Sequence, residues 1–433
     1  MSSAERGIEQ VSRLEIRLRW SLLAVLSLVV ACSPDATPKN KPAAAPVVEQ
    51  KKPVVRDLPP DDPLPQMKEA PAFVALAAGG MHSCGITESA SLYCWGRNDQ
   101  GQVGDGTTSD RALPVAVGAN LKWRAVSAGR AHSCAITTDG ATYCWGSSIA
   151  GQLGSDTLGT ITAPFRIEKA PPFVKISSGE THTCAITTDG KLYCWGENLH
   201  GELGSSVISK YAAVAQVAPQ LTWARVSAGL HNTCAITIDG KLYCWGLNNG
   251  GGIGVEADDA CEMDGEGGLC ALPLRQPADS LRFSVVATGV THSCAITGDG
   301  VLYCWGSNEQ GQLGSGFREP LGPTPVTGEQ RWIAVSAGKD FTCALTKGGV
   351  AQCWGAGDDG QLAGGAADAT VPAPVAGSVR FTSITSGTAH TCALSTDHLV
   401  YCWGSNGNGQ LGTGGRKRNF EPARLMFAAK DTL

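Results

Sequence analysis

Cysteine is the residue type whose spacing most constrains the chemistry of this chain. Of seventeen cysteines, fourteen stand in pairs ten positions apart: Cys84/Cys94, Cys134/Cys144, Cys184/Cys194, Cys234/Cys244, Cys294/Cys304, Cys343/Cys353 and Cys392/Cys402. A further pair, Cys261/Cys270, lies in an insertion, which leaves Cys32 without a partner. None is a Cys-x-x-Cys, so zinc knuckles and dithiol redox sites fit poorly. Disulfides persist in oxidising compartments, so the count predicts an exported protein.

Other chemically capable residues recur with the same period. His82, His132, His182, His292 and His390 occupy one repeat position and suggest a metal or catalytic ring. Equivalent positions in separate repeats lie too far apart to share an ion, so each imidazole is expected to satisfy a backbone group of its own repeat. Asp139, Asp189, Asp239 and Asp299 precede Gly in a turn, which explains them without chemistry. Trp95, Trp145, Trp195, Trp245, Trp305, Trp354 and Trp403 could stack on sugars, but a Trp in every copy argues for packing between copies. No nucleophile–base pair, metal motif or phosphate loop stands out from the repeat. No catalytic residue, metal site or cofactor is therefore assigned. A net charge of −5 and the lack of a basic block within the repeats give no reason to expect nucleic acid.

One stretch breaks the repetition. Val255 to Leu272 occurs only in the fourth copy and places Asp258, Asp259, Glu262, Asp264 and Glu266 around Cys261 and Cys270. An EF-hand pattern fails, because Ala260 and Ala271 stand at the first and last ligand positions. The stretch is read as a disulfide-stapled surface loop and as the candidate binding loop.

The N-terminus carries an address. Arg13, Arg17 and Arg19 precede an apolar run from Trp20 to Ala31, too short to span a bilayer and suited to a signal-peptide core. Ala31 before Cys32 resembles the end of a bacterial lipoprotein signal, in which that cysteine becomes the lipidated first residue. Cys32 is also the cysteine the pairing leaves over. By resemblance to Gram-negative lipoproteins, Ser33 favours the outer membrane. From Ser33 to about Glu69 the chain is rich in Pro, Ala, Lys and Asp and reads as a tether, with Val54-Val55-Arg56 its one candidate strand.

These residues need elements to position them. Each copy has an aromatic six places before a glycine, as in Trp123/Gly129, then a Cys-Ala-Ile-Thr run, a Tyr-Cys-Trp-Gly tetrad and a short segment often opened by Pro. Between the second and third parts, Thr138-Asp139-Gly140 reads as a three-residue hairpin loop closed by a left-handed Gly. Counting outward sets Cys134 opposite Cys144 as a non-hydrogen-bonded pair, within reach of a cross-strand disulfide. Four short strands per copy, a period near fifty residues and seven copies predict an all-β, seven-bladed β-propeller of four-stranded blades with one disulfide per repeat.

The motifs also have a likeness. Val335-Ser336-Ala337-Gly338, His292-Ser293-Cys294-Ala295-Ile296, Asp299-Gly300, Tyr303-Cys304-Trp305-Gly306-Ser307-Asn308 and Gly311-Gln312-Leu313-Gly314 closely resemble the regulator-of-chromosome-condensation repeat. The resemblance spans about residues 71–428 and implies a seven-bladed propeller. It implies function only weakly, because the family includes an exchange factor, a light receptor and a secreted inhibitor. The chain departs from the pattern at Asn232, with His231 one place earlier, at Phe341 and at Ala363. Guanine-nucleotide exchange is not carried over, since an exported protein cannot meet a nuclear GTPase.

The expected organisation is a signal peptide (1–31), a tether (32–70) and a propeller (71–433). The expected role is a monomeric, non-enzymatic protein-binding or scaffold module, lipid-anchored in the cell envelope, with carbohydrate or cell-wall binding as the alternative. The loop face carrying the Gly-Gln-Leu-Gly motifs, with Ser155–Thr162 and Phe317–Pro323, is the expected binding surface.

Overall fold

The turn between the paired cysteines sets the register of every blade. In the computed structural model of the protein, Gly140 has φ +91° and its amide donates to Thr137 O at 3.0 Å. Counting outward from this left-handed glycine, Cys134 faces Cys144 across the hairpin. Their Cα atoms are 4.1 Å apart and the sulfurs are bonded.

The same cross-strand bridge recurs in the other six repeats, with the same 4.1 Å between Cα atoms. Cys84 is bonded to Cys94, Cys184 to Cys194 and Cys234 to Cys244. Cys294 is bonded to Cys304, Cys343 to Cys353 and Cys392 to Cys402. Each partner is the one that the ten-residue spacing selects, because the turn has the same length in every copy.

The structure describes residues 67–68, 70–155, 158–168, 170–256, 259–261, 268–316, 322–364 and 367–428. Cys32, the signal segment, most of the tether with Val54-Val55-Arg56, and Asp258, Glu262, Asp264 and Glu266 lie outside them, as do the side chains of Asp259 and Cys261.

Seven antiparallel sheets, each ordered as in the chain, form the blades of a propeller. Blade 2 is typical: Trp123–Ala128, His132–Thr137, Thr142–Ser147 and Thr160–Arg166. The other blades open at Phe73, Phe173, Trp223, Phe283, Trp332 and Phe381. Blade 4 has a fifth strand: Asp259–Cys261 pairs with Gly268–Arg275 at the outer edge of the sheet. The acidic insertion therefore extends the blade sideways as a hairpin, where a loop on one face was expected. Cys270 within it is buried and disulfide-bonded.

Apolar cores lie between blades. Cys134, Ile136, Cys144, Leu153 and Ile167 of blade 2 pack against Phe173, Ala185 and Trp195 of blade 3. The equivalent cluster between the last and first blades joins Cys392, Leu394, Val400, Cys402, Leu411 and Leu425 to Phe73 and Trp95. Burying each large apolar side chain contributes about 1.5–3 kcal/mol, so a blade gains this stabilisation only when its neighbour is in place. All seven tetrad tryptophans are buried in these interfaces, which is the packing role the repetition implied.

The C-terminal stretch from Asn419 divides between two destinations. Asn419–Arg424 completes the seventh blade, whereas Phe427–Ala428 pairs with Met67–Lys68. The Phe427 ring lies 5.2 Å from Tyr93 and 6.2 Å from Phe73, both in blade 1. The end of the propeller thus crosses the seam between its last and first blades.

The hairpin turns also tie neighbouring blades. Their left-handed residue accepts the amide of the aromatic that opens the next blade: Trp123 N reaches Ala90 O at 2.9 Å, and Phe73 N reaches His398 O at 3.0 Å. Ala90 (φ 61°) and His398 (φ 63°) stand where other copies have Gly. A left-handed non-glycine residue costs about 1–2 kcal/mol, so Ala90→Gly should raise the melting temperature by a few degrees. At Gly140 an added Cβ meets nothing closer than Pro172 Cβ at 3.4 Å, so Gly140→Ala should lower it by a similar amount through backbone strain alone. Thermal unfolding followed by circular dichroism checks both signs.

Candidate functional site

Gly129 begins the turn that joins the first and second strands of blade 2. Its carbonyl accepts the Gly80 amide at 3.0 Å, while the Arg130 amide reaches Gly179 O at 3.1 Å and the Glu180 amide reaches Gly229 O at 3.2 Å. A Cβ on Gly129 would stand 2.5 Å from Gly179 O and 2.5 Å from the His132 ring, so the close approach of blades requires glycine. Backbone bonds of this kind link six of the seven turns to the next one around a central channel of about 440 Å³. The residue after each glycine lines its mouth, and it differs from copy to copy: Gly80, Arg130, Glu180, Leu230, Val290, Lys339 and Thr388.

The next position diverges as well. It is Met81, Ala131, Thr181, His231, Thr291, Asp340 and Ala389 in order. In blades 2 to 4 this divergence assembles a polar cluster. Arg130 pairs with the Glu180 carboxylate, and Glu180 Oε2 lies 3.7 Å from His231 Nε2. On its other side, His231 Nδ1 is 3.6 Å from Glu202 Oε1, which His200 Nδ1 approaches to 2.8 Å. The Glu202 side chain is fully buried. Burial alone would raise its carboxyl, but interactions with His200, His231 and His182 bring it down to about 2, so it is an anion at neutral pH.

The five recurrent histidines do different work. His132 Nε2 lies 2.9 Å from Thr183 Oγ1 of the next blade, and that hydroxyl donates to Gln152 O at 3.0 Å. The Trp195 indole donates to the same carbonyl at 3.0 Å. His82–Ser133, His182–Thr233, His292–Thr342 and His390–Ser83 repeat the contact at 2.8–2.9 Å. Each imidazole therefore binds a neighbouring blade's hydroxyl, not a backbone group of its own repeat as expected. The Ser/Thr of the second strand is turned toward the preceding blade, which places it within imidazole reach. Burial pushes His82 and His132 down to about 3, and His182, His292 and His390 to about 4.

Comparison with known proteins agrees with this geometry. The family model described as RCC1-like domain matches residues 44–375, and models of the regulator of chromosome condensation (RCC1) repeat match residues 381–410 and 397–431. The chain belongs to the RCC1-like family. Among solved structures, human WBSCR16 superposes with a TM-score of 0.69 at 18% identity, covering 78% of this chain and 95% of that one. Yeast RCC1 (Prp20), solved bound to Kap60, gives 0.63 at 22% identity, covering 73% and 78%. A second structure of Prp20p from Saccharomyces cerevisiae, studied for binding to Gsp1p and histones, gives 0.62 at 23% identity, covering 73% and 80%. Likeness at this level establishes the shared fold.

Within this RCC1-like propeller, the structure separates the residues singled out in the sequence. The cysteines are scaffold. Cys84, Cys94, Cys134, Cys144, Cys184, Cys194, Cys234 and Cys244 of blades 1 to 4 are buried in the sheets, away from the channel lining. Cys294, Cys304, Cys343, Cys353, Cys392 and Cys402 of blades 5 to 7 are buried in the same way. The tetrad tryptophans share those interfaces. Asp139, Asp189, Asp239 and Asp299 accept the hydroxyl of the Thr two residues earlier, within their own turns. His200, Glu202 and His231 were not brought together by sequence reasoning. The signal available was Glu202 replacing the Gln of the Gly-Gln-Leu-Gly motif, read together with the shift from His to Asn at position 232. His231 lies on the blade after the one that carries His200 and Glu202, so only ring packing makes it their neighbour.

The buried histidines give stability a definite pH dependence. Their folded values lie below the ordinary 6.5, so the unfolded chain binds more protons as pH falls. Their contribution is complete above about pH 6.5 and is lost as pH falls toward 4, by up to about 1.4 kcal/mol per pH unit per imidazole. Melting temperatures should be clearly lower at pH 5.0 than at pH 7.5. His132→Gln should narrow that gap, and an unchanged melting temperature would contradict the sign.

Proposed function

We propose that this RCC1-like propeller is an exported, lipid-anchored module that binds a protein partner through its loop face and catalyses no reaction. The observation that carries the reading is where the copies differ. Side chains in the sheets and interfaces repeat, whereas those at the channel mouth and in the loops between third and fourth strands change from blade to blade. A surface that varies on a repeated scaffold is suited to recognition. On blades 2 and 3 the same loops expose Ile149, Leu158 and Val207, with Tyr211 exposed in the adjoining strand Ser209–Val217. Apolar groups beside a charged cluster are the composition of a protein interface. The related Prp20 was studied with protein partners, Kap60, Gsp1p and histones, which supports protein binding as a use of this fold.

Carbohydrate binding is the weaker reading. The repeated tryptophans that could have stacked on sugars are wholly buried. Nucleotide exchange is not proposed, because identity of 22–23% to Prp20 carries the fold alone.

Export is supported by the disulfides, which persist where thiols are not held reduced, and anchoring by the sequence around Cys32. More than one acyl chain on that residue would give stable attachment. Cells fed labelled palmitate should label the wild type and partition it with membranes. Cys32→Ser should lose both the label and the membrane partition, and retention of label would exclude this anchor.

The binding reading is tested by capture from an envelope extract on the oxidised protein. A discrete protein partner is expected, with recovery at least tenfold lower on Val207→Asp. Recovery should be unchanged on Ile238→Asp, whose side chain is exposed in a hairpin turn at the opposite face. Recovery of glycan alone, or equal capture by both variants, would overturn it.

A further inference from the structure

Glu202 occupies a position whose structural task is visible in five other copies. There a glutamine Oε1 accepts the amide two residues earlier, at 2.8–3.0 Å: Gln102, Gln152, Gln312, Gln361 and Gln410. Glu202 performs that task with Oε2, which accepts the His200 amide at 2.9 Å. The replacement is unnecessary for closing the loop. Its effect is to put a carboxylate oxygen, Oε1, where glutamine would present an NH₂ group.

That oxygen faces two imidazoles found in no other copy at these positions. His200 stands where the other copies have Gln100, Ala150, Gly250, Gln310, Asp359 and Asn408. His231 comes from the next blade. The two rings are 5.0 Å apart between centroids, and the ligating atoms of His200, Glu202 and His231 all lie within 4.8 Å of one another. Two further features point to a ligand. His231 Nδ1 is buried with no hydrogen-bond partner, since its 3.6 Å separation from Glu202 is too long for one. His231 Nε2 in turn faces Glu180, whose carboxylate is held by Arg130. A carboxylate behind the far nitrogen of an imidazole is the usual support of a metal-bound histidine, fixing its tautomer and orientation.

We propose that His200 Nδ1, Glu202 Oε1 and His231 Nδ1 form a Zn²⁺ site at the junction of blades 3 and 4. Glu180 acts as the positioning residue for His231. Zinc takes imidazole and carboxylate donors at about 2.0–2.2 Å, which places tetrahedral donors roughly 3.4 Å apart. The observed 2.8 and 3.6 Å separations bracket that spacing, so small side-chain rotations complete it. Both imidazoles are about a quarter exposed, so the fourth position opens toward solvent on the loop face and takes water.

The test is calorimetric titration of Zn²⁺ into the full oxidised chain after chelator treatment and desalting. One ion per chain is expected. Glu202→Gln and His231→Ala should each weaken binding at least tenfold, and Glu180→Gln by about tenfold or more. His398→Ala, in a hairpin turn of blade 7, should bind as the wild type does. Glu202→Gln restores the residue used by five other copies, so it should fold normally. Zinc should then raise the melting temperature of the wild type and not that of this variant. No binding by the wild type, or binding unchanged in Glu202→Gln and His231→Ala, would overturn the site. Neither result bears on partner capture by the apolar loops, which is read separately.

Discussion

Each blade sheet of this propeller is built from contiguous chain, so among the described residues no blade takes a strand from its neighbour. The whole structure therefore depends on the contact between adjacent blades. At its centre is one carbonyl, such as that of Gln152, which accepts both a threonine hydroxyl and an indole N–H from the following blade. The hydroxyl is in turn bonded to an imidazole of the blade that supplies the carbonyl. A buried circuit of this kind satisfies its polar groups only when the two blades are in register, which converts packing into a specific docking angle. Repeated at five of the seven interfaces, it fixes how far each of those sheets turns relative to the last.

The disulfides and the interfaces stabilise different things. Each disulfide closes a short loop within one hairpin, and by the chain-entropy account contributes about 2–3 kcal/mol by restricting the unfolded chain. It does nothing directly to join blades. Its sulfurs, however, are part of the apolar face against which the next blade packs. The cross-link and the core thus share the same atoms. At the seam between last and first blades the interface contacts are the same as elsewhere, supplemented by the pairing of Phe427–Ala428 with Met67–Lys68.

A ring of near-identical units makes its exceptions informative. Backbone hydrogen bonds to the next turn, donated by the amides of Gly80, Arg130, Glu180, Leu230, Lys339 and Thr388, tie the channel mouth together whatever side chain follows the glycine. Charged, apolar and small residues can therefore occupy those positions at little structural cost. This freedom allows Arg130, Glu180, His200, Glu202 and His231 to accumulate on blades 2 to 4. The Asn at position 232 belongs to the same exception. The interface there lacks the recurrent imidazole, while an imidazole stands one residue earlier and faces the cluster.

The sequence by itself determined the blade. A spacing of ten between cysteines, a three-residue turn and alternating strand faces are local constraints, and period-two geometry allows one register for them. Repetition then specified seven blades and, through the closeness of the motifs, the family. What only the tertiary structure decided was everything that depends on neighbours around the ring. The imidazoles bond across blades because the second strand aims its hydroxyl at the preceding one, a direction that spacing within one copy does not contain. The acidic insertion became an edge strand because the outermost strand of blade 4 offered unpaired backbone groups. Glu202 and His231 are twenty-nine positions apart and meet only because the fold sets the third loop of one blade beside the first turn of the next. Contacts between copies depend on the angle at which sheets pack, and no local pattern encodes that angle.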